Sequence, residues 1–491
     1  HGRLARFAGD TGMIARPFIA STKVLANIAT VVALGGVAVS IHVRAEEIPI
    51  SIGTQNTTIN TVTAGVVLKE LKLLEKHLPR TGKFKDRTYK IEWQNFTSGP
   101  PITNGMIANR IHIGAMGDYP LLVNGATGQQ QKGQETQLIA VVAYSMLGAG
   151  NGVVVHRDSP YFELADLKGK SVSVPFGSAA HGMLLKTMQD RGWPQDFWAL
   201  SNQSPEVGTT SLQEKRIDGH ANFVPFAELL PFRGYARKIF DGVETRVPTF
   251  HGVVVRKDFG EKYPEIVVSF IRAMMEANEW VRQNPMRAAE RIAEWTRIEK
   301  EVVYIFFGPG GIQSFDPTIK PQLVDAIRTG RGVLQRLNRL KDLDTEAWVN
   351  DTYVRRVFRE QGLDYDARLK SLANYEVAGN DSFCGVPIKQ PRRAGEVWMA
   401  SGEILPFSSP DCTLGAMRRF NTEGRKYSVA YLYDRALGIK VFAEQAFYAT
   451  EGAGKRIVPF LLKKDAEALA LKSGGKVITL ADALKRTTGG K

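Results

Sequence analysis

The chain has 491 residues, 43% of them hydrophobic and 23% charged, a balance that excludes wholesale disorder and requires two or three separate cores. Its formal net charge is +14, yet no basic run alternates with aromatics, which argues against a nucleic-acid partner.

At the N-terminus, Arg3, Arg6, Arg16 and Lys23 face a single acid, Asp10, ahead of a largely apolar run from Val24 to Val43 and the small-residue ending Val43-Arg44-Ala45. This pattern predicts an export signal cleaved near Ala45, or an uncleaved membrane anchor, over residues 1–45, and a periplasmic location for the rest. Ile48–Thr54 alternates as a strand, Thr63–His77 carries an apolar helical stripe, and Tyr89–Trp93 is a strand. Pro100 and Pro101 then suit the first turn of a helix, where no N–H donor is needed. Ile111–Met116, Gln137–Tyr144 and Gly152–His156 are further strands.

Ser171–Val174 is a strand that runs through Pro175, Phe176 and Gly177 to Ser178, an N-cap residue, and so into a helix. Such a joint leaves backbone N–H groups aimed, with the helix dipole, at whatever lies above the turn. Leu212–Arg216 reads as helix, Ile217–Phe223 as strand and Gly252–Val255 as a strand core, followed by long helices over Pro264–Gln283 and Arg287–Trp295. Strands alternating with helices predict an α/β fold with largely parallel sheets.

The order of the pieces resembles the periplasmic solute-binding proteins of ABC importers, in the nitrate-, sulfonate- and taurine-binding group. The matching segments are I-S-I-G-T-Q-N, W-Q-N-F-T-S-G-P-P, I-H-I-G-A-M-G-D-Y-P, L-K-G-K-S-V-S-V-P-F-G-S-A-A-H, I-D-G-H-A-N-F-V-P-F-A-E-L and Y-P-E-I-V-V-S-F-I-R-A. The resemblance covers roughly residues 47–350. It implies a two-lobed (type II-like) domain over 46–375, with lobes of about 47–145 plus 250–350, and 146–249, closing on a small ligand delivered to an ABC permease.

In that frame the strand-to-helix turns supply the candidate ligand-binding residues: Gln55, Asn56, Ser98, Gly99, Gly117, Asp118, Gly177, Ser178, His181, Phe223 with Pro225, and His251. Helix N-termini after Gly99 and Gly177 would grip a small polar or anionic ligand from opposite lobes. No arginine stands in these turns as a bidentate clamp, so the residues do not select among anions. His181 is either a ligand donor or a solvated histidine; Asp118 either pairs with a ligand amine or caps the next turn. A related fold group makes pyrimidines with a histidine and a cysteine-rich loop, but no cysteine precedes Cys384, and no Ser-His-Asp, phosphate-loop or H-E-x-x-H pattern occurs. The reading is therefore not an enzyme.

Residues 351–375 read as polar helix and Val377–Asp381 as a linker. Beyond it, strands are expected at Glu396–Ala400, Glu403–Phe407, Tyr427–Tyr433, Lys440–Phe442, Phe447–Ala449 and Lys476–Leu480, with a helix over Asp465–Lys472 and none longer than about a dozen residues. F-C-G-V at 383–386, G-E-I-L-P-F at 402–407, D-C-T-L, A-F-Y-A-T, V-P-F, D-A-E-A-L and G-G-K-V-I-T-L resemble the NosL copper-chaperone family. The resemblance implies a small α+β domain over 376–491 that binds Cu(I) through the soft set Cys384, Cys412, Met399 and Met417, and, as an alternative function for the whole chain, a maturation factor serving an extracytoplasmic copper enzyme. In an exported protein the same two cysteines could instead form a disulfide or stay apart. Membrane contact would come through the permease or the N-terminal anchor.

Overall fold

Ile48, Ile50 and Ile52 are buried along β1 (Glu46–Thr54), which pairs in parallel with β2 (Arg87–Asn95) and with β3 (Ile113–Gly117). The computed structural model describes residues 46–336, 342–372, 375–452 and 456–487; the leader or anchor expected over 1–45 lies outside them. β4 (Thr136–Ser145) carries the chain out of this sheet into a second one, formed by β5 (Gly152–His156), β6 (Ser171–Val174), β7 (Ala199–Asn202), β8 (Gly219–Asn222) and β9 (Ala236–Asp241). β10 (Thr249–Arg256) returns to the first sheet, and β11 (Ser314–Phe315) pairs with its edge at β4.

The strand orders are β11-β4-β10-β3-β1-β2 and β7-β6-β8-β5-β9. Each lobe thus takes in one strand arriving from the other, β10 between β3 and β4 and β5 between β8 and β9, and each incoming strand runs antiparallel to both neighbours. The sheets are therefore mixed rather than largely parallel. The reason is topological: a strand entering from across the cleft starts at the edge where the resident strands end.

Two crossovers, residues 146–151 and 242–248, connect the lobes. They touch through glycine: Gly242 donates its N–H to the Asn151 carbonyl at 2.9 Å. A Cβ on Gly148 would collide with the Val247 carbonyl, and one on Gly242 with the Gly148 carbonyl. Gly148 also has φ of 84°, in the left-handed region.

Most expected elements form near their expected bounds, and the departures have local causes. The single helix over Thr63–His77 is replaced by a 3-10 turn Ile59–Ala64 and short helices Val66–Glu70 and Leu73–His77, broken at Gly65 and at Lys72, whose φ is 53°. The breaks let the segment wrap the sheet edge so that Ile59, Val62, Val67 and Leu74 enter one core. The helix expected at Leu212–Arg216 is Pro205–Gln213, because Ser204 caps it and Pro205 fits its first turn.

Residues beyond 376 build two sheets of their own. One is β13 (Ile404–Phe407), β12 (Gly395–Met399), β14 (Tyr427–Tyr433) and β15 (Lys440–Phe442), in that order. The other is β17 (Arg456–Phe460), β16 (Phe447–Glu451) and β18 (Val477–Ile478). Here the expectation of short helices fails: Pro410–Glu423 is a helix of 14 residues, capped by Ser409 and stopped by Gly424 at φ 69°. The expected strand Lys476–Leu480 shrinks to β18, because Thr479 caps a helix over Leu480–Arg486.

The C-terminal sheets are not a free appendage. Residues Glu301–Phe307 of the helix Lys300–Phe307 are all buried, so this helix needs cover on every face. One face packs into the lobes; the other meets β14 and β12, where Tyr431 of β14 donates to the Glu301 carbonyl at 2.8 Å and Tyr304 donates to Glu396 of β12 at 2.8 Å.

Candidate ligand-binding cleft

The cleft lies where the strand ends of the two sheets meet, and the residues expected there converge only in part. In the first lobe the helix Gly99–Ile107 starts from Ser98, whose side chain makes no capping bond. Its first-turn prolines remove donors, so this end offers fewer N–H groups than its position suggests. Gly99 is a close approach: a Cβ there would run into Pro120. Gly117 caps the helix Asp118–Gln129. Its missing side chain makes room for both lobes, since a Cβ would lie 3.3 Å from Ala179 Cβ and 3.3 Å from His251 Nε2.

In the second lobe Ser178 is the N-cap of Ala179–Asp190, its Oγ accepting from the His181 N–H at 3.3 Å. Gly177, at φ 80°, gives its own N–H to His181 Nδ1 at 3.1 Å. The opening is thereby organised from within, and the Ala179 and Ala180 N–H groups lead the helix toward the cleft. Across it, Pro100 Cγ would stand 2.9 Å from a Cβ on Gly177, and the Tyr119 ring 2.5 Å from one on Gly182. The two helix ends expected to oppose each other therefore do.

His181 is neither solvated nor free. It is 4% exposed, stacks on Phe176 with ring centroids 4.8 Å apart, and meets Tyr119 edge-on at 5.9 Å. Asp118 is the first residue of the helix rather than its cap: its carboxylate accepts from the Tyr119 N–H and from Thr249 Oγ1, both at 2.7 Å, tying the helix to the returning strand. Burial lifts its carboxyl to about 6 against those hydrogen bonds. Gln55 is also structural; its Nε2 donates to the Ala115 carbonyl at 3.3 Å, and its own carbonyl accepts from Thr58 N–H and Thr61 Oγ1. Asn56 is held by Thr54 and Asn95, and Phe223 is buried against Phe226.

His251 is the sharpest group in the cleft. It is 3% exposed, and burial holds its imidazole down at about 3, so the ring is neutral at ordinary pH. With the Asn60 amide donating to Nδ1 at 3.2 Å, the ring proton sits on Nε2, which faces Gly117. In the unfolded chain this histidine binds a proton near pH 6.5 and in the folded one near 3, so between those values the unfolded state holds more protons and acidification removes stability. His251→Gln is expected to flatten that loss. Unfolding free energies measured from pH 7 to pH 4 should fall less steeply for the variant than for the parent, and equal slopes would refute the assignment.

Asn60 carries a signal that the strand-end reasoning missed. It is fully buried in the turn Ile59–Ala64, and its Oδ1, with Thr58 Oγ1 and Thr63 Oγ1 beside it in the chain, finds no partner among the described residues. An enclosed polar atom without a partner costs about 1–3 kcal/mol, which a hydrogen-bonding solute offsets. The clue in the sequence was a polar T-T-I-N-T between apolar positions. A third buried histidine, His220, is a core group between Ser173 and Asn222, at 2.7 and 2.8 Å.

At the C-terminal end, Cys384 and Cys412 are joined in a disulfide with Cα atoms 5.9 Å apart. Of the alternatives read from the sequence, this one forms, and as it stands it removes both thiolates from the expected Cu(I) set. Met399 and Met417 are 3% and 0% exposed, enclosed in the hydrophobic core. Asp381 beside the bridge accepts from the N–H groups of Phe383, Cys384 and Ser408 and from Ser408 Oγ.

Among the described residues no helix is long and apolar enough to cross a membrane. The family described as NMT1/THI5 like matches residues 121–288. The chain is 30% identical over 218 residues to the taurine-binding periplasmic protein of Escherichia coli (strain K12), a match covering 44% of this chain and 65% of that protein. Its fold resembles that of the alkanesulfonate-binding protein from Xanthomonas axonopodis pv. citri bound to MOPS, with a TM-score of 0.53 at 20% identity, covering 62% of this chain and 99% of the other. The periplasmic nitrate-binding protein from Synechocystis PCC 6803 gives a TM-score of 0.50 at 13% identity, covering 66% of this chain and 91% of the other. The two mixed sheets, their paired crossovers and these likenesses together show that the part of the chain that builds these sheets has the two-lobed α/β fold of the periplasmic binding proteins.

Proposed function

We propose that the chain is an extracytoplasmic solute-binding protein that holds a small organic anion of the sulfonate class between its lobes and presents it to an ABC permease. The observation that carries this reading is the meeting of the Ala179–Asp190 helix end with Gly117 and the neutral His251 across the cleft. Backbone N–H groups, a histidine N–H and buried hydroxyls can surround an anion without a counter-charge, at a helix N-terminus that already favours it. The likeness to a taurine-binding protein supports the ligand class.

Thermal unfolding of the full chain with taurine, short alkanesulfonates and nitrate tests it. A saturable rise in midpoint is expected with sulfonates, corresponding to about 2.7 kcal/mol at a hundred times the dissociation constant. No shift with any of these anions would overturn the reading.

For residues 376–491 the NosL-like motifs support a second, conditional role. Sγ of Cys384, Sγ of Cys412 and an Asp381 oxygen lie within 4.8 Å of one another, so reduction would create two thiolates in one place. Cys412 sits in the first turn of its helix, an environment that favours thiolate. Cu(I), a soft ion, fits only that reduced pair. The oxidised chain is expected to take up no Cu(I) and the reduced chain one equivalent, lost in Cys384→Ser; absence of uptake after reduction removes copper delivery to a partner enzyme. Reduction has a structural cost as well. The bridge spans 28 residues, and opening it is expected to destabilise the C-terminal domain by about 3.5 kcal/mol on loop-entropy grounds, read as an earlier unfolding transition in reductant.

A further inference from the structure

We infer that the C-terminal domain is a strap that favours the closed arrangement of the lobes before any ligand arrives. Its contacts with the two lobes differ in kind. To the first lobe it is joined by enclosed polar contacts: Lys440 Nζ donates to the Pro309 carbonyl at 2.6 Å, Tyr433 to the Gly310 carbonyl at 2.7 Å, and Tyr304 to Glu396. To the second lobe it presents ring contacts and one ion pair. Phe442 packs on Phe232 with centroids 5.1 Å apart, Phe447 meets Phe162 edge-on at 6.3 Å, Lys463 lies 4.2 Å over the Phe162 ring, and Lys464 pairs with Glu244.

A hinge motion at the crossovers cannot keep both sets. Parting the first set leaves the buried Tyr304 hydroxyl, the Glu396 carboxylate and the Lys440 ammonium each short of a partner, whereas the second set gives up ring contacts and one partly exposed ion pair. On opening, the strap therefore travels with the first lobe and breaks its contacts with the second. Those contacts are made only when the lobes are closed, so they shift the population toward closure without a ligand. The direct interlobe pair Arg233–Glu299, at 2.8 Å, acts in the same sense.

The inference rests on the lobes opening and closing, and its test uses no ligand, so its failure is separable from failure of the ligand assignment. Spin labels are placed on the full chain at Thr97→Cys and Glu206→Cys, two exposed positions beside the cleft ends of β2 and β7; the native cysteines are bonded to each other and do not compete. The unliganded parent should give one short interlobe distance. Phe162→Ala with Lys464→Glu should move at least half of the distribution to longer distances while the chain still unfolds in one cooperative transition. Lys464→Glu alone, a change at a partly exposed side chain, should move a smaller share and serves if the double variant unfolds. Distance distributions that do not differ between parent and folded variant, or a parent already as open as the variant, would overturn the strap.

Discussion

Replacing Lys440 with methionine is expected to be among the most destabilising single changes in the protein, at about 3–5 kcal/mol. Lys440 is 2% exposed; its ammonium pairs with Glu396 at 2.5 Å and donates to the Pro309 carbonyl, and Glu396, 4% exposed, also accepts from Tyr304. Methionine fills the stem's volume but leaves a carboxylate and a carbonyl enclosed without their donor. Because the ammonium joins the C-terminal sheet to the segment after Lys300–Phe307, the loss should extend to the lobes. A single transition in denaturant, moved to lower concentration for the whole chain, is the expected result. Two separated transitions, with the lobes unchanged, would show that the domain is merely tethered. Glu396→Gln with Lys440→Met should recover part of the loss, since it removes the stranded charge.

The second large effect concerns ligand binding rather than stability. Gly177→Val should weaken binding about 5- to 150-fold, with the lobes still folded. The Gly177 Cβ position lies 2.9 Å from Pro100 of the opposite lobe, so a branched side chain forces the closed cleft apart at an overpacking cost of about 1–3 kcal/mol. The left-handed backbone at φ 80° adds strain, but open and closed states carry it equally, so it lowers stability without altering affinity. Titration calorimetry with the sulfonate that most raises the unfolding midpoint separates the two effects. Parent-like affinity would mean that Gly177 and Pro100 do not meet in the bound state.

Much of the architecture was legible in local chemistry. The isoleucines of β1, the Ser178 cap, the paired prolines after Gly99 and the apolar helix Pro264–Gln283 each specify their element by period, cap or ring constraint, and each forms where expected. The 14-residue helix Pro410–Glu423 departs from the expected short elements although Ser409-Pro410 and Gly424 mark its start and stop in the sequence. The break at Lys72 had no local marker; it follows from the need to wrap a sheet edge supplied by other strands.

The site divides the same way. That Gly99, Gly117, Gly177 and Ser178 would stand at strand ends follows from sequence, since glycine and capping residues mark those turns. Which of them face each other, and that Pro100 meets Gly177, depends on how the two crossovers set one sheet against the other. The protonation of His251 was equally out of reach: it results from full enclosure plus one amide, Asn60, 191 residues away in the chain. Asp118 offered two roles in sequence, ligand partner or cap, and the structure adds one that no local pattern shows, a bond from Thr249 on the returning strand. The sequence by itself determined the element types, the turn chemistry and the presence of two cysteines near one end. Only the tertiary structure decided that those cysteines are bonded, that the C-terminal sheets cover a helix buried on every face, and that a neutral histidine rather than an arginine confronts the helix end. Each depends on burial and on contacts between residues distant in sequence, which no local pattern encodes.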